Sequence, residues 1–395
     1  MNERSAVNTI RGYFYQFNKT ILEIISLENE NDSLTVEGIE DIDLKNRNAT
    51  TLIQCKYYSG QEYNHSVIKD AIINFFEHYI TIQSSDINYC LYANFKSGQE
   101  KLPKNLTVPF VKKHFLTYTK NGSKHELFTE KNIDDMMISS FIKKINIDIF
   151  ADSYQELENK VLTTIQRISN IDKSILNLYY IEAESIIKQL ATSKDIKKRK
   201  ITKKEFINRL LELNVCLDEW FINQISYEKY CSSIRKRYFS VQNVSPFERF
   251  FLIDCSHSPN INSLKNIIYI ISEKWSKLSK HSNPSFCPYI VFYNINDDTL
   301  LKLKTQLFNE DFRFIDGYCF KNSSFSTKAI FIDADYYNKI KIKLVEFNNL
   351  DEILKEDKKT ILLYQFYFDK LYFNNTQYNC ANIRINNIDD LVKIV

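Results

Sequence analysis

Apolar side chains recur at Ile10, Phe14, Phe17, Ile21 and Ile24/Ile25, a helical spacing that predicts a first helix over about Ala6 to Leu27. Its other side carries Gly12, Gln16, Thr20 and Glu23, the make-up of a solvated face. β-forming runs follow near Ser33–Gly38, Ile39–Leu44 and Thr51–Tyr58, the first two readable as one strand bent across Gly38. Val67, Ala71, Ile72, Phe75, Phe76 and Tyr79 restore the helical period as far as about Ile82. Ile87 to Phe95 is rich in β-formers and stops at Lys96-Ser97-Gly98. Helix, three strands, helix and strand in this order describe a compact mixed α/β core over about residues 1–120.

Beyond it the pattern changes. From about Glu130 to Tyr238 the spacing is nearly all helical, with no proline between Pro109 and Pro246, so a helical extension is expected over about residues 125–238. The last third alternates again. Phe250–Asp254 and Tyr289–Tyr293 read as strands, Ile261–Leu278 and Asp297–Phe308 as helices, and Phe312–Phe320, Ala329–Ile332 and Thr360–Phe368 as further strands. This predicts a smaller C-terminal α/β domain over residues 240–395, with the boundary near Ser240–Pro246. It contains no Gly-rich phosphate loop and no dinucleotide fingerprint. Asp254, His257 and Asp333 follow strand ends, where acids commonly serve as helix caps.

The chain has 395 residues, enough for two or three domains, and an apolar content of 44% that supports sizeable cores. Lys and Arg (52) nearly balance Asp and Glu (49), so any basic surface must be local. Eight cysteines stand singly, without a C-x-x-C pair, which argues against zinc and a disulfide framework and points to a reducing cytoplasm. No apolar leader follows Met1 and no run is long enough to span a membrane. Three of the six glycines, Gly12, Gly38 and Gly60, flank or lie within the region from the first helix to the third strand, where close backbone approach or unusual angles would be needed. The six histidines are scattered and suggest no triad.

Charge is concentrated unusually between Val36 and Lys56. Strand alternation places Glu37, Asp41 and Asp43 on one side and Gln54 with Lys56 together on the next strand. Buried charges require partners or a metal. Hydrolysis of a phosphodiester with Mg²⁺ (or Mn²⁺) needs hard oxygen ligands and a positive group near the attacking water. Asp41 is the leading ligand, Glu37 a second ligand or proton acceptor, Gln54 a neutral amide-oxygen ligand, and Lys56 the cation at the water.

An acid, a short gap and then Gln-x-Lys resembles the PD-(D/E)XK nuclease superfamily, Asp41 matching its aspartate, Gln54 its D/E position and Lys56 its lysine. Gly12-Tyr13-Phe14-Tyr15-Gln16, Glu37, Glu40-Asp41 and Ile53-Gln54-Cys55-Lys56 together resemble the double-stranded DNA endonuclease domain at the front of CBASS-type anti-phage effectors, over about residues 1–225. The resemblance implies a restriction-endonuclease-like mixed sheet flanked by helices, 5′-phosphate and 3′-hydroxyl products, and a site role for Gln16. It departs from the superfamily pattern at the neutral Gln54, which leaves Asp41 and Glu37 to supply the negative charge.

The strongest basic run, Lys197-Lys198-Arg199-Lys200 within Lys194–Lys204, reads either as a solvated connection or as a contact to the DNA backbone. No base-reading module is recognisable, so a low-specificity endonuclease is expected. Such an enzyme must be controlled. The C-terminal domain, homo-oligomerisation, a nucleotide second messenger or a defence partner such as a hexameric ATPase are the expected routes. The alternative reading is a weak or inactive nuclease-fold subunit that binds DNA or a defence partner.

Overall fold

The computed structural model describes residues 6–82, 84–120, 123–169, 173–240, 248–278, 280, 285–320, 323–357, 361–373 and 378–395. His281 and residues 241–247 of the expected boundary lie outside the described residues. The fold is mixed α/β. Two compact units divide at Leu210/Leu211, earlier than the expected boundary and within the eighth helix.

The first unit begins with α1 (Val7–Ser26), β1 (Ser33–Val36), β2 (Ile42–Lys45), β3 (Thr50–Glu62), α2 (His65–Ile82) and β4 (Ile87–Ser97). It continues with α3 (Val108–His114), the hairpin β5 (Thr117–Lys120) and β6 (Ser123–Glu126), α4 (Leu127–Glu130) and α5 (Asp135–Ile142). Then come β7 (Ile145–Asp148), α6 (Tyr154–Ser169), α7 (Leu176–Ala191), β8 (Lys200–Thr202) and α8 (Lys203–Ile225). The main sheet runs β7-β4-β3-β2-β1-β8. β2 is antiparallel to β1 and β3, β8 is antiparallel to β1, and β3, β4 and β7 are parallel.

Two expectations change here. β1 and β2 are separate strands of a hairpin, with Val36 opposite Ile42, not one strand bent at Gly38. The helical extension also contributes two short strands, β7 and β8, which close the two edges of the sheet. Four and three residues are too few for a two-residue alternation to stand out among helices.

β3 shows how the sheet divides its faces. Tyr57 packs on Tyr15 of α1, with ring centroids 4.8 Å apart. Leu52, on the alternate face, joins Ile72, Phe75 and Phe76 of α2 in a buried core. Gln54 and Lys56 share that alternation with Leu52, so the apolar start of β3 fixes where its polar pair points.

The second unit carries α9 (Tyr227–Ile234), β9 (Glu248–Asp254), α10 (Ile261–Trp275), β10 (Tyr289–Tyr293), α11 (Asp297–Asn309) and β11 (Phe314–Ile315). α12 (Thr327–Ile330), β12 (Ile342–Glu346), α13 (Leu350–Glu356), β13 (Ile361–Tyr367), β14 (Asn379–Arg384) and α14 (Leu391–Ile394) complete it. Its six strands, in the order β11-β12-β10-β9-β13-β14, pair in parallel throughout. Every residue of β9 and β10 is buried, as expected of parallel strands covered on both faces. Ala329 and Ile330, expected in a strand, instead lie in α12, whose Ser326 cap accepts from the Ala329 amide. β12 and β14 are additional strands.

Ile253, next to the end of β9 and fully buried, belongs to the core that α10 and α14 cover. Ile253→Ala is expected to cost about 2–5 kcal/mol, read as a lower denaturation midpoint. An unchanged midpoint would contradict this packing.

Candidate functional site

β1 ends at Val36 and β2 starts at Ile42, so Glu37 to Asp41 must reverse the chain. Asp43 builds this turn. Its carboxylate accepts from the Ile39 amide at 2.7 Å and the Glu40 amide at 3.0 Å, satisfying loop donors that no strand partner reaches. The Glu37 amide donates to the Asp41 carbonyl at 3.0 Å. Gly38 is demanded by close approach, because a Cβ there would stand 2.1 Å from Asp43 Oδ2. At Gly12 and Gly60 a Cβ would meet open space, so neither is required by the site.

Glu37 has φ +52°, a left-handed conformation that a side chain adopts at a cost of roughly 1–3 kcal/mol. It is held from several sides. Gln16 Nε2 donates to Glu37 Oε1 at 2.7 Å, and Arg199 Nη1 donates to the Glu37 carbonyl at 2.7 Å. Gln16 is buried, not on a solvated face, and the Tyr15 hydroxyl beside it anchors α1 by donating to the Asp152 carbonyl at 2.7 Å.

Asp41 faces β3. Its Oδ2 accepts from the Cys55 amide at 2.7 Å and from Gln54 Nε2. Burial raises the Asp41 pKa most, and Glu37 raises it further. The Cys55 amide, the Lys56 charge and the Gln54 amide pull in the other direction without cancelling the rise. Glu40 is pushed up to about 7, first by burial and then by Asp41 and Asp43, with Lys56 opposing. Among the described residues, no group lies within hydrogen-bond or ion-pair distance of the Lys56 ammonium. The turn and β3 therefore bring several half-buried carboxylates together beside one uncommitted cation.

Glu37, Asp41, Gln54, Lys56 and Gln16 thus converge, while Asp43 leaves the predicted acidic face to cap the turn. Glu40 is the residue that strand alternation missed. In a strand it would point away from Asp41, but alternation does not hold in a turn, and the adjacent acids Glu40-Asp41 were the available signal. Among the described residues, no three His, Cys, Asp or Glu side chains by themselves form a metal-holding group. The hard-oxygen set on hand is Glu37, Asp41 and the Gln54 amide, which now turns its nitrogen to Asp41.

The basic run is far away in sequence but next to this turn in space. A single 3-10 turn, Ile196–Arg199, capped by Asp195, leads into β8, which pairs with β1 through Thr35 and Lys200. Lys197, Lys198 and Lys200 are exposed. Arg199 differs from the expected surface contact: it turns inward, its Nε donating to the Ser193 carbonyl at 2.8 Å and its Nη1 to Glu37.

In the second unit, Asp254 accepts from Asn294 Nδ2 at 3.0 Å and from the Ser256 amide at 3.0 Å, which gives it a structural task at the strand end. His257 stacks on Phe368, with ring centroids 4.0 Å apart. These two, with Asn260, Ser263, Asn386 and Asp389, border a cavity of about 240 Å³. It opens at the carboxyl ends of β9, β13 and β14, beside the place where strand order reverses.

Among the described residues, no helix is long and apolar enough to cross a membrane. No family model matches the chain, and no curated protein matches it. Among solved structures, it is similar to the Cap4 SAVED/CARF-domain containing receptor of Moraxella osloensis, with 11% identity and a TM-score of 0.35 over 96% of this chain and 86% of that one.

Proposed function

We propose that the first unit is a Mg²⁺-dependent endonuclease of low specificity acting on double-stranded DNA, controlled through the second unit as an anti-phage effector. The observation that carries this reading is the convergence of Glu37, Glu40, Asp41 and Gln54 beside the Lys56 charge. Burial and a neighbouring acid raise the pKa of Asp41 (Glu37) and of Glu40 (Asp41 and Asp43), and the Lys56 charge opposes both rises, so a cation stabilises this half-buried cluster. Glu37, Asp41 and the Gln54 amide oxygen would hold the ion after a half-turn of that amide. Bound there, a hard divalent cation makes coordinated water more acidic and withdraws charge from phosphate oxygen. In this reading the Lys56 ammonium supplies positive charge to an attacking water and to the scissile phosphate. The defence setting rests on the sequence motifs. For control by a nucleotide messenger, the cavity beside His257 and Phe368 is a concave polar site in the second unit that could receive it.

Purified protein mixed with linear duplex DNA should cut in Mg²⁺ or Mn²⁺ and stop on chelation. Protein that never cuts under either metal, with or without activators, returns the reading to the alternative of an inactive DNA- or partner-binding subunit.

The exposed lysines beside the turn provide a phosphate track. Lys197, Lys198 and Lys200 replaced together by Ala should weaken duplex binding and make the log-log salt dependence shallower by about 2–3, since each phosphate contact contributes about 0.9. An unchanged slope would make this run a solvated connection only.

A further inference from the structure

We propose that Arg199 is a positioning residue that locks the Glu37 turn, joining the basic segment to the acid cluster; this rests on the endonuclease reading. Its guanidinium spans two carbonyl oxygens, Ser193 O in its own segment at 2.8 Å and Glu37 O at 2.7 Å, from a position 162 residues away in the chain. The fork geometry of arginine supports two such bonds at once, whereas a lysine ammonium is a single point charge on a flexible stem. The bond falls on the one turn residue with positive φ, so it opposes relaxation of Glu37 to the ordinary β or α region.

The other restraints complete the clamp. Gln16 fixes the Glu37 carboxylate, the Asp41 carbonyl fixes its amide, and Arg199 fixes its carbonyl. Without Arg199 the peptide between Glu37 and Gly38 is free to rotate, and the carboxylates of Glu37 and Asp41 lose their common orientation. Among the described residues Arg199 has no acidic partner in an ion pair, so its charge also remains available beside the acids. Its neighbours Lys197, Lys198 and Lys200 face solvent. One short segment thus separates two tasks: the lysines hold DNA, and the arginine holds the site.

Steady-state cleavage of linear duplex DNA in Mg²⁺ separates these tasks. Arg199→Ala should lower kcat by about 10–10²-fold, the cost of a misplaced reacting group, with KM within about threefold of wild type. The triple lysine variant should raise KM and spare kcat. Arg199→Lys, which keeps the charge without the fork, should recover part of the lost kcat and carries the test if Arg199→Ala does not fold. Wild-type kcat in both Arg199 variants, or a loss confined to KM, would overturn the positioning role while leaving the endonuclease reading intact. A wild-type protein that cuts nothing in Mg²⁺ or Mn²⁺ would overturn both.

Discussion

Asp41→Asn is expected to cleave duplex DNA about 10²–10³-fold more slowly than wild type, because polarisation by a bound metal contributes several kcal/mol and each 1.36 kcal/mol is tenfold in rate. The substitution keeps the side chain's shape and leaves one oxygen to accept from the Cys55 amide or Gln54. It removes the charge from the residue at the centre of the acid cluster. Burial already disfavours that charge, and Glu37 adds to the penalty. In chelator, therefore, Asp41→Asn should melt no lower than wild type, which separates loss of chemistry from loss of fold. Full activity in the variant would remove Asp41 from the site. A large fall in melting temperature would assign it a structural task instead.

The second large effect is at Gly38. A methyl group at this position would lie 2.1 Å from Asp43 Oδ2 and 2.9 Å from Asp43 Cγ. Asp43 has to rotate away, and its bonds to the Ile39 and Glu40 amides are lost together. Two hydrogen bonds lost at about 0.5–1.5 kcal/mol each cost about 1–3 kcal/mol together. Gly38→Ala should accordingly lower stability by that amount and also lower cleavage by about 10²-fold, because the turn that orients Glu37, Glu40 and Asp41 no longer closes. Gly60→Ala, with open space around its Cβ, is the matched control and should leave both readings near wild type. Equal behaviour of the two variants would contradict the close-packed turn.

Much of the first unit was legible because its elements are long. α1, α2, β3 and β4 carry enough repeats of their own period for spacing to define them. The pairing of Gln54 with Lys56 was legible for the same reason, since both lie inside a thirteen-residue strand. Alternation failed at Glu37 to Asp41, where the backbone leaves the strand and a glycine approaches an aspartate. Gln16 could not be distinguished from a solvated residue by periodicity, because its partner Glu37 is brought to it by tertiary folding. Arg199 was hidden more deeply: a basic run announces charge, and only the pairing of β8 with β1 turns one member inward. In the second unit, β9 and β10 were recognisable as continuous apolar runs. α12 was misread because four residues with Ala329 and Ile330 at their end carry no decisive period.

Lys56 offers the most direct measurement of the central claim. Among the described residues its ammonium makes no hydrogen bond or ion pair, though its charge offsets the burial of Asp41 and Glu40, so a melting curve of Lys56→Ala in chelator is run beside the cleavage assay to separate chemistry from stability. Wild type and Lys56→Ala, at equal loading on linear duplex DNA, are compared in Mg²⁺ and in chelator. The account predicts metal-dependent cutting by the wild type, near-complete loss of cutting by the variant, and retained DNA binding by both. Equal cutting by the two proteins, or cutting that persists in chelator, would contradict it.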